Sequence, residues 1–342
     1  MRICGMPRRF IAALSLLAFV YDLRSEKIIV NTDAGADDAV GLLLLLRYEA
    51  ANKNSGFQVI GITCSYGNTE ENNVVTNVLR TLTVTRRGDI PVYSGATQGF
   101  NEPFSTDNYF GSDGFSDAQF DEEITAKVDR SKHVALALVD MVKQYSGNVS
   151  ILSLAPLTNI GLAISLDRNF TKHVKHFYVM GTSVAGVGNK RPNVEFNIAA
   201  DPESTAVFFN STQKSQITLV PWETVLNTEL SKDWRKNVLG KYNSPYIEFL
   251  NKVEWKSFAV KREQWVSADA TTVACMIEPS LINEYKVVNV QAVTDGLARG
   301  SVLVDYGQRT GKTDNSKIVL KINETVYKNM LIEYLTCEEI TC

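Results

Sequence analysis

The stretch from Lys27 to Leu46, K-I-I-V-N-T-D-A-G-A-D-D-A-V-G-L-L-L-L-L, constrains this chain more than any other part of it. Ile28 to Val30 make an apolar run of strand length and Ala39 to Leu46 an apolar helical run, so the segment predicts a buried strand feeding a buried helix. The turn between them carries Asp33, Asp37 and Asp38. Gly35 leaves the backbone free for a tight or left-handed bend there. Carboxylates this close repel one another, and such a turn needs a cation, a set of hydrogen-bond donors, or both. Hard oxygen ligands with no His or Cys beside them favour Ca²⁺ or Mg²⁺ over zinc. A helix N-cap alone would use one or two of these acids. A phosphatase of the paired-aspartate type needs an attacking carboxylate at the strand end, and Asn31 stands at that position.

The rest of the chain repeats the strand-turn-helix theme. Phe57 to Cys64 predicts a second strand, with Asn72 to Thr85 helical after it and Ile90 to Tyr93 a short strand. His133 to Tyr145 is amphipathic, Val149 to Leu154 a strand that runs through Pro156 into a helix, and His176 to Met180 and Ser215 to Val220 are further strands. This alternation predicts an α/β fold: a mostly parallel central sheet flanked by helices, in an open architecture. Ligands of such sheets bind beyond the carboxyl ends of the strands. Residues 96 to 123 predict a long loop whose aromatics, Tyr109, Phe110 and Phe115, either stack on a flat ligand or anchor the loop to the core. Asn189, Glu195 and Asn197 follow a Gly-rich loop, 181 to 188, and suit the several hydroxyls of a sugar. Leu230 to Lys261 predicts a helical outer cap. Asp269 is a fourth acid just before an apolar helix, and residues 286 to 293, 300 to 305 and 318 to 322 predict late strands.

At 342 residues the chain can bury a large core. A net charge of −3 with no basic stripe argues against nucleic acid and for a small-molecule partner. Arg8 and Arg9 precede the apolar run Phe10 to Val20, which is short for a membrane span and has the form of a secretory signal. The expected organisation is a signal peptide over about residues 1 to 25 and one domain from 26 to 342, secreted and extracellular. Sequons at Asn148, Asn169, Asn210 and Asn323 accord with glycosylation after export. Cys337 and Cys342 are spaced to close a small terminal loop, while Cys64 and Cys275 read as buried and free or as a second pair.

Several motifs in order resemble the inosine-uridine-preferring nucleoside hydrolases over residues 27 to about 325. They are N-T-D-A-G-A-D-D-A at 31–39, I-P-V-Y-S-G-A at 90–96, A-P-L-T-N-I at 155–160, V-E-F-N-I-A-A-D-P-E at 194–203, A-D-A at 268–270 and D-G-L-A-R-G at 295–300. The resemblance implies hydrolysis of the N-glycosidic bond of ribonucleosides to ribose and free base. It implies Ca²⁺ held by Asp33, Asp38, the Leu154 carbonyl and Asp269. Asp33 would deprotonate the attacking water, with Asp37, Asn68, Asn189, Glu195, Asn197, Phe110 and Met180 around the substrate. A homo-oligomer, dimer or tetramer, is the implied assembly. Three positions depart from the family pattern. Asn31 replaces an acid near the metal, which predicts weaker Ca²⁺ binding, and Leu154 replaces a Thr of which only the carbonyl is needed. Ala268 stands where many members have a His that protonates the departing base; Tyr109, Phe110 and Trp265 are candidates for aromatic stacking instead. The alternative is a secreted nucleoside-binding protein that has lost turnover.

Overall fold

Strand β1 (Glu26–Thr32) is buried on both faces along nearly its whole length, which places it inside a sheet covered on both sides. The structure, a computed structural model, describes residues 25–52, 56–213 and 215–337. The other strands are β2 (Phe57–Cys64), β3 (Val92–Tyr93), β4 (Val128–Asp129), β5 (Val149–Ser153), β6 (Val174–Met180), β7 (Ile217–Val220), β8 (Ile282–Val288), β9 (Val290–Ala292), β10 (Val302–Val304) and β11 (Ser316–Ile322). Nine of them form one sheet in the order β4-β3-β2-β1-β5-β6-β7-β11-β8, parallel throughout except for the antiparallel edge strand β8. β9 and β10 make a separate antiparallel pair. The expected mostly parallel α/β sheet is therefore present. Its strand order reverses direction at β1, between β2 and β5, and the crevice at such a switch point is where open sheets bind ligands.

Helices cover both faces. Helix Ala36–Ala51 packs with Ala268–Ile277 and Glu324–Thr336 on one side, and Val134–Gln144, Thr158–Leu166 and Pro202–Ser211 cover the other. Leu42 to Leu46 are all essentially inaccessible, since this helix lies between the sheet and a second layer of helices. Its crossing with Ala268–Ile277 is close: a Cβ on Gly41 would lie 3.3 Å from the Ala270 nitrogen and from the Asp269 carbonyl carbon. That crossing carries Asp269 to Asp38.

Three expectations change, and one further helix is present. The cap over 230–261 is four short pieces, Lys232–Asn237, Leu239–Lys241, Pro245–Val253 and Trp255–Ala259, because Pro245 can only start a helix and Ser244 caps it. Residues 286–293 divide between β8 and β9. A final helix, Glu324–Thr336, follows β11, its Asn323 cap accepting from the Thr325 and Val326 nitrogens. Asp269 lies within the first turn of its helix rather than before it. Of the expected signal over about residues 1 to 25, residues 1–24 lie outside the described residues, as does Cys342. Among the described residues Cys64 and Cys275 are buried and free, and Cys337 has no disulfide partner. Asn169 and Asn210 are exposed, and Asn148 is half-buried with its amide donating to the Ser25 carbonyl. Among the described residues no helix is long and apolar enough to cross a membrane.

Candidate active site

At the carboxyl end of β1 the chain turns through Ala34, whose φ is 35°, and enters the helix at Gly35, whose φ is −74°. Gly35 therefore serves close approach rather than a left-handed bend: a Cβ there would sit 2.5 Å from Asn68 Nδ2 and 2.8 Å from Phe110. Asp38 is completely buried. Its Oδ1 accepts from Thr32 Oγ1 at 2.5 Å, and its Oδ2 accepts from the Gly35 nitrogen at 2.9 Å and Asn68 Nδ2 at 3.2 Å. Asp33 Oδ2 accepts from the Asn68 nitrogen at 2.8 Å, and Gly67 is required beside it because a Cβ would fall 2.0 Å from that oxygen. Asp269 arrives from the crossing helix. Carboxylate oxygens of Asp37, Asp38 and Asp269 lie within 4.8 Å of one another.

These acids are poorly served by donors. Asp33 Oδ1 and Asp37 Oδ1 are buried and have no hydrogen-bond partner. Burial, reinforced by Asp38, holds Asp33 well above the ordinary carboxyl range, and burial followed by repulsion from Asp38 pushes Asp37 up to about 8. Burial raises Asp38 too, and burial with repulsion from Asp37 raises Asp269 well above the usual value. Among the described residues no Lys, Arg or His lies at this floor of the cavity. Four crowded carboxyls with orphaned oxygens and only oxygen donors fit a hard divalent cation. The Leu154 carbonyl faces the same floor and accepts from Asn197 Nδ2 at 3.0 Å.

One cavity gathers the residues expected from sequence: Asp33, Asp37, Asn68, Phe110, Leu154, Met180, Asn189, Glu195, Asn197 and Asp269 all line it, and Asp38 lies behind them. Glu195 caps helix Phe196–Ala200, accepting from the Asn197 nitrogen at 3.0 Å, and takes the Thr182 nitrogen at 3.1 Å; burial raises it to about 7. Asn197 Oδ1 is buried and unpartnered beside it. Tyr109 lines the cavity with its ring edge-on to Phe110, centroids 4.7 Å apart. Phe110 is buried and lines the cavity, so it anchors the loop to the core and forms part of the cavity wall.

Two sequence expectations are corrected. Trp265 is buried and its indole donates to Glu254 at 2.6 Å, away from the cavity; Trp222 supplies the aromatic wall instead. Asn31 does not face the acids. Its Nδ2 donates to Ser153 Oγ and the Pro156 carbonyl, and its Oδ1 accepts from Thr63 and Asn159, so the side chain ties β1 to β2 and β5. Sequence reasoning missed Asp107, Phe196, Trp222, Arg262 and Val266 as cavity residues. It also missed Glu223, which holds the Gly-rich loop by accepting from Ser183 Oγ and the nitrogens of Val184, Ala185 and Val187. The one available signal was position: Trp222 and Glu223 follow β7 at the end of the sheet where the site forms. His133, His173 and His176 bond to Ala135, Ser146 and Thr218, and none reaches the cavity.

The chain is 30% identical over 299 residues to probable uridine nucleosidase 2 of Oryza sativa subsp. japonica, covering 85% of each chain. It is 29% identical over 300 residues to uridine nucleosidase 1 of Arabidopsis thaliana, again covering 85% of each. A solved plant nucleoside hydrolase shares its fold with a TM-score of 0.81 at 24% identity, over 91% of this chain and 99% of that one. The profile of the inosine-uridine preferring nucleoside hydrolases matches residues 28–329, so the chain belongs to that family and is a nucleoside hydrolase.

Proposed function

We propose that this enzyme is a secreted, Ca²⁺-dependent ribonucleoside hydrolase that releases ribose and free base. The observation that carries the reading is the set of four crowded carboxyls at the ends of β1 and the crossing helix, three of them buried, with unpartnered oxygens on Asp33 and Asp37. Ca²⁺ held by Asp33, Asp38, Asp269 and the Leu154 carbonyl would acidify the attacking water and orient the ribose diol.

The protein groups divide the remaining work. Asp33 Oδ1, which has no hydrogen-bond partner, takes the proton of the water that attacks C1′. The unpartnered oxygens of Asp37 and Asn197 accept from ribose hydroxyls. Asn68, already donating to Asp38, keeps the acids in register. As the C1′–N bond breaks, its electron pair passes to the base, and the carboxylates favour the oxocarbenium character of the sugar. Export is supported by the Arg8–Val20 segment and the sequons, and is tested by a mass shift on deglycosylation of protein collected from a secreting host.

Incubating the purified protein with a panel of ribonucleosides, with and without a chelator, tests the activity. Free base should form only with Ca²⁺, and Asp33→Ala should lower the rate by roughly 10²–10⁴-fold. Measurable nucleoside binding without release of any base would instead make the protein a carrier.

A further inference from the structure

The cavity lining grades from buried to open: Asp33, Asp269 and Asn197 are buried and make its floor, while Tyr109, Phe196, Val266 and Arg262 are the more exposed groups at its mouth, with the Trp222 ring against Arg262. A ribose seated on the floor directs its base to this mouth. Five carboxyl residues line the whole cavity, Asp33, Asp37, Asp107, Glu195 and Asp269, and among the described residues a single cation does, Arg262.

Arg262 is exposed and uncommitted. Among the described residues its guanidinium makes no ion pair and no side-chain hydrogen bond, and its contact is with the Trp222 ring, 5.8 Å from the centroid. The strap that carries it is firmly held. The Lys232 nitrogen donates to the Glu263 carbonyl at 2.8 Å, Gln264 Nε2 donates to the Leu226 and Thr228 carbonyls at 2.8 and 2.6 Å, and the Trp265 nitrogen donates to the Leu230 carbonyl at 2.6 Å. The fork is thus delivered to the mouth by a fixed backbone and supported on an aromatic face, with all its donors available.

We propose that Arg262 is the group that recognises the departing base, selecting bases that leave as oxygen-delocalised anions, above all the 2,4-dioxopyrimidine of uridine. This rests on the hydrolytic reading above. A guanidinium stays charged and does not serve as a proton donor, so it cannot do the work of an acid at position 268, where Ala268 stands. It can hold negative charge. Uracil presents a carbonyl oxygen next to its glycosidic nitrogen and leaves with the C1′–N pair spread over its two oxygens. Arg262 donates to that oxygen, the water oxygen bonds to C1′, the water's proton goes to Asp33, and the base anion takes its proton from solvent. Adenine has no carbonyl and must be protonated to leave.

The test compares uridine, adenosine and 4-nitrophenyl β-D-ribofuranoside, whose leaving group needs no such help, in wild type, Arg262→Ala and Arg262→Gln. The wild type should favour uridine over adenosine. Both variants should lose about 100-fold in kcat on uridine, the scale of removing one donor to a developing anion, and less than about tenfold on the nitrophenyl riboside. Guanidinium added to Arg262→Ala should restore part of the loss. Equal losses on both substrates, a uridine loss under about threefold, or a wild-type preference for adenosine would each overturn the proposal while leaving the hydrolase reading intact. A wild type that cleaves none of the three substrates overturns both.

Discussion

Stripped of divalent cations, this protein should lose stability as the pH rises from about 4 to about 8. Asp33, Asp37, Asp38 and Asp269 all hold their protons more tightly when folded than an unfolded carboxyl does. Below the unfolded value, near 3.9, both states are protonated and the cluster carries no penalty. Above it the unfolded chain releases protons that the folded chain keeps, so stability falls with pH until the folded groups ionise as well. For Asp37 that occurs near 8, against an ordinary value of 3.8. At 1.36 kcal/mol per pH unit the full difference is roughly 6 kcal/mol. Asp37 keeps part of its surface open to the cavity, and solvent screening leaves only part of this, on the order of a few kcal/mol. Glu195, raised to about 7, acts in the same direction. Urea denaturation of chelator-treated protein at pH 5 and pH 8, at constant ionic strength, measures the difference. Asp37→Asn should remove its share and leave the chelated variant more stable than the chelated wild type at pH 8. Ca²⁺ at about 100 times its Kd should restore roughly 2.7 kcal/mol at pH 8, and less at pH 5. A chelated wild type equally stable at both pH values, or more stable at pH 8, refutes the reasoning.

Glu223→Gln turns one acceptor toward N–H groups that expect a carboxylate, loosening the loop that leads to Asn189. Steady-state kinetics should show KM for ribonucleosides rising about tenfold, with kcat within about threefold, the pattern of lost binding shared by ground and transition states. Asn31→Asp removes the amide that donates to Ser153 and Pro156 and buries a charge there. It should cost about 2–3 kcal/mol in denaturation, and Ca²⁺ titration of the folded variant should show affinity changed by less than about threefold.

The site was legible in sequence wherever one local segment carried its meaning. Asp33, Asp37 and Asp38 share a single turn, and the apolar runs on either side announce a strand end and a helix start. Glu195 and Asn197 share one helix start in the same way. Trp265 and Trp222 show the opposite case. Both are tryptophans near the ends of elements, and nothing local says that one bonds Glu254 in the interior while the other walls the cavity. Asn31 lies in the same motif as the acids yet points to β5 and β2, a direction set by strand alternation and by partners more than 30 and 120 residues away.

The sequence by itself determined the βαβ class of the fold, the acidic turn after β1 and the family, because periodicity, turn chemistry and motif spacing are local properties of the chain. Only the tertiary structure decided how Asp269 reaches that turn, through the close helix crossing at Gly41, and that Arg262 reaches the cavity as its single lining cation among the described residues. Those outcomes depend on packing between segments more than 200 residues apart, which no local pattern encodes.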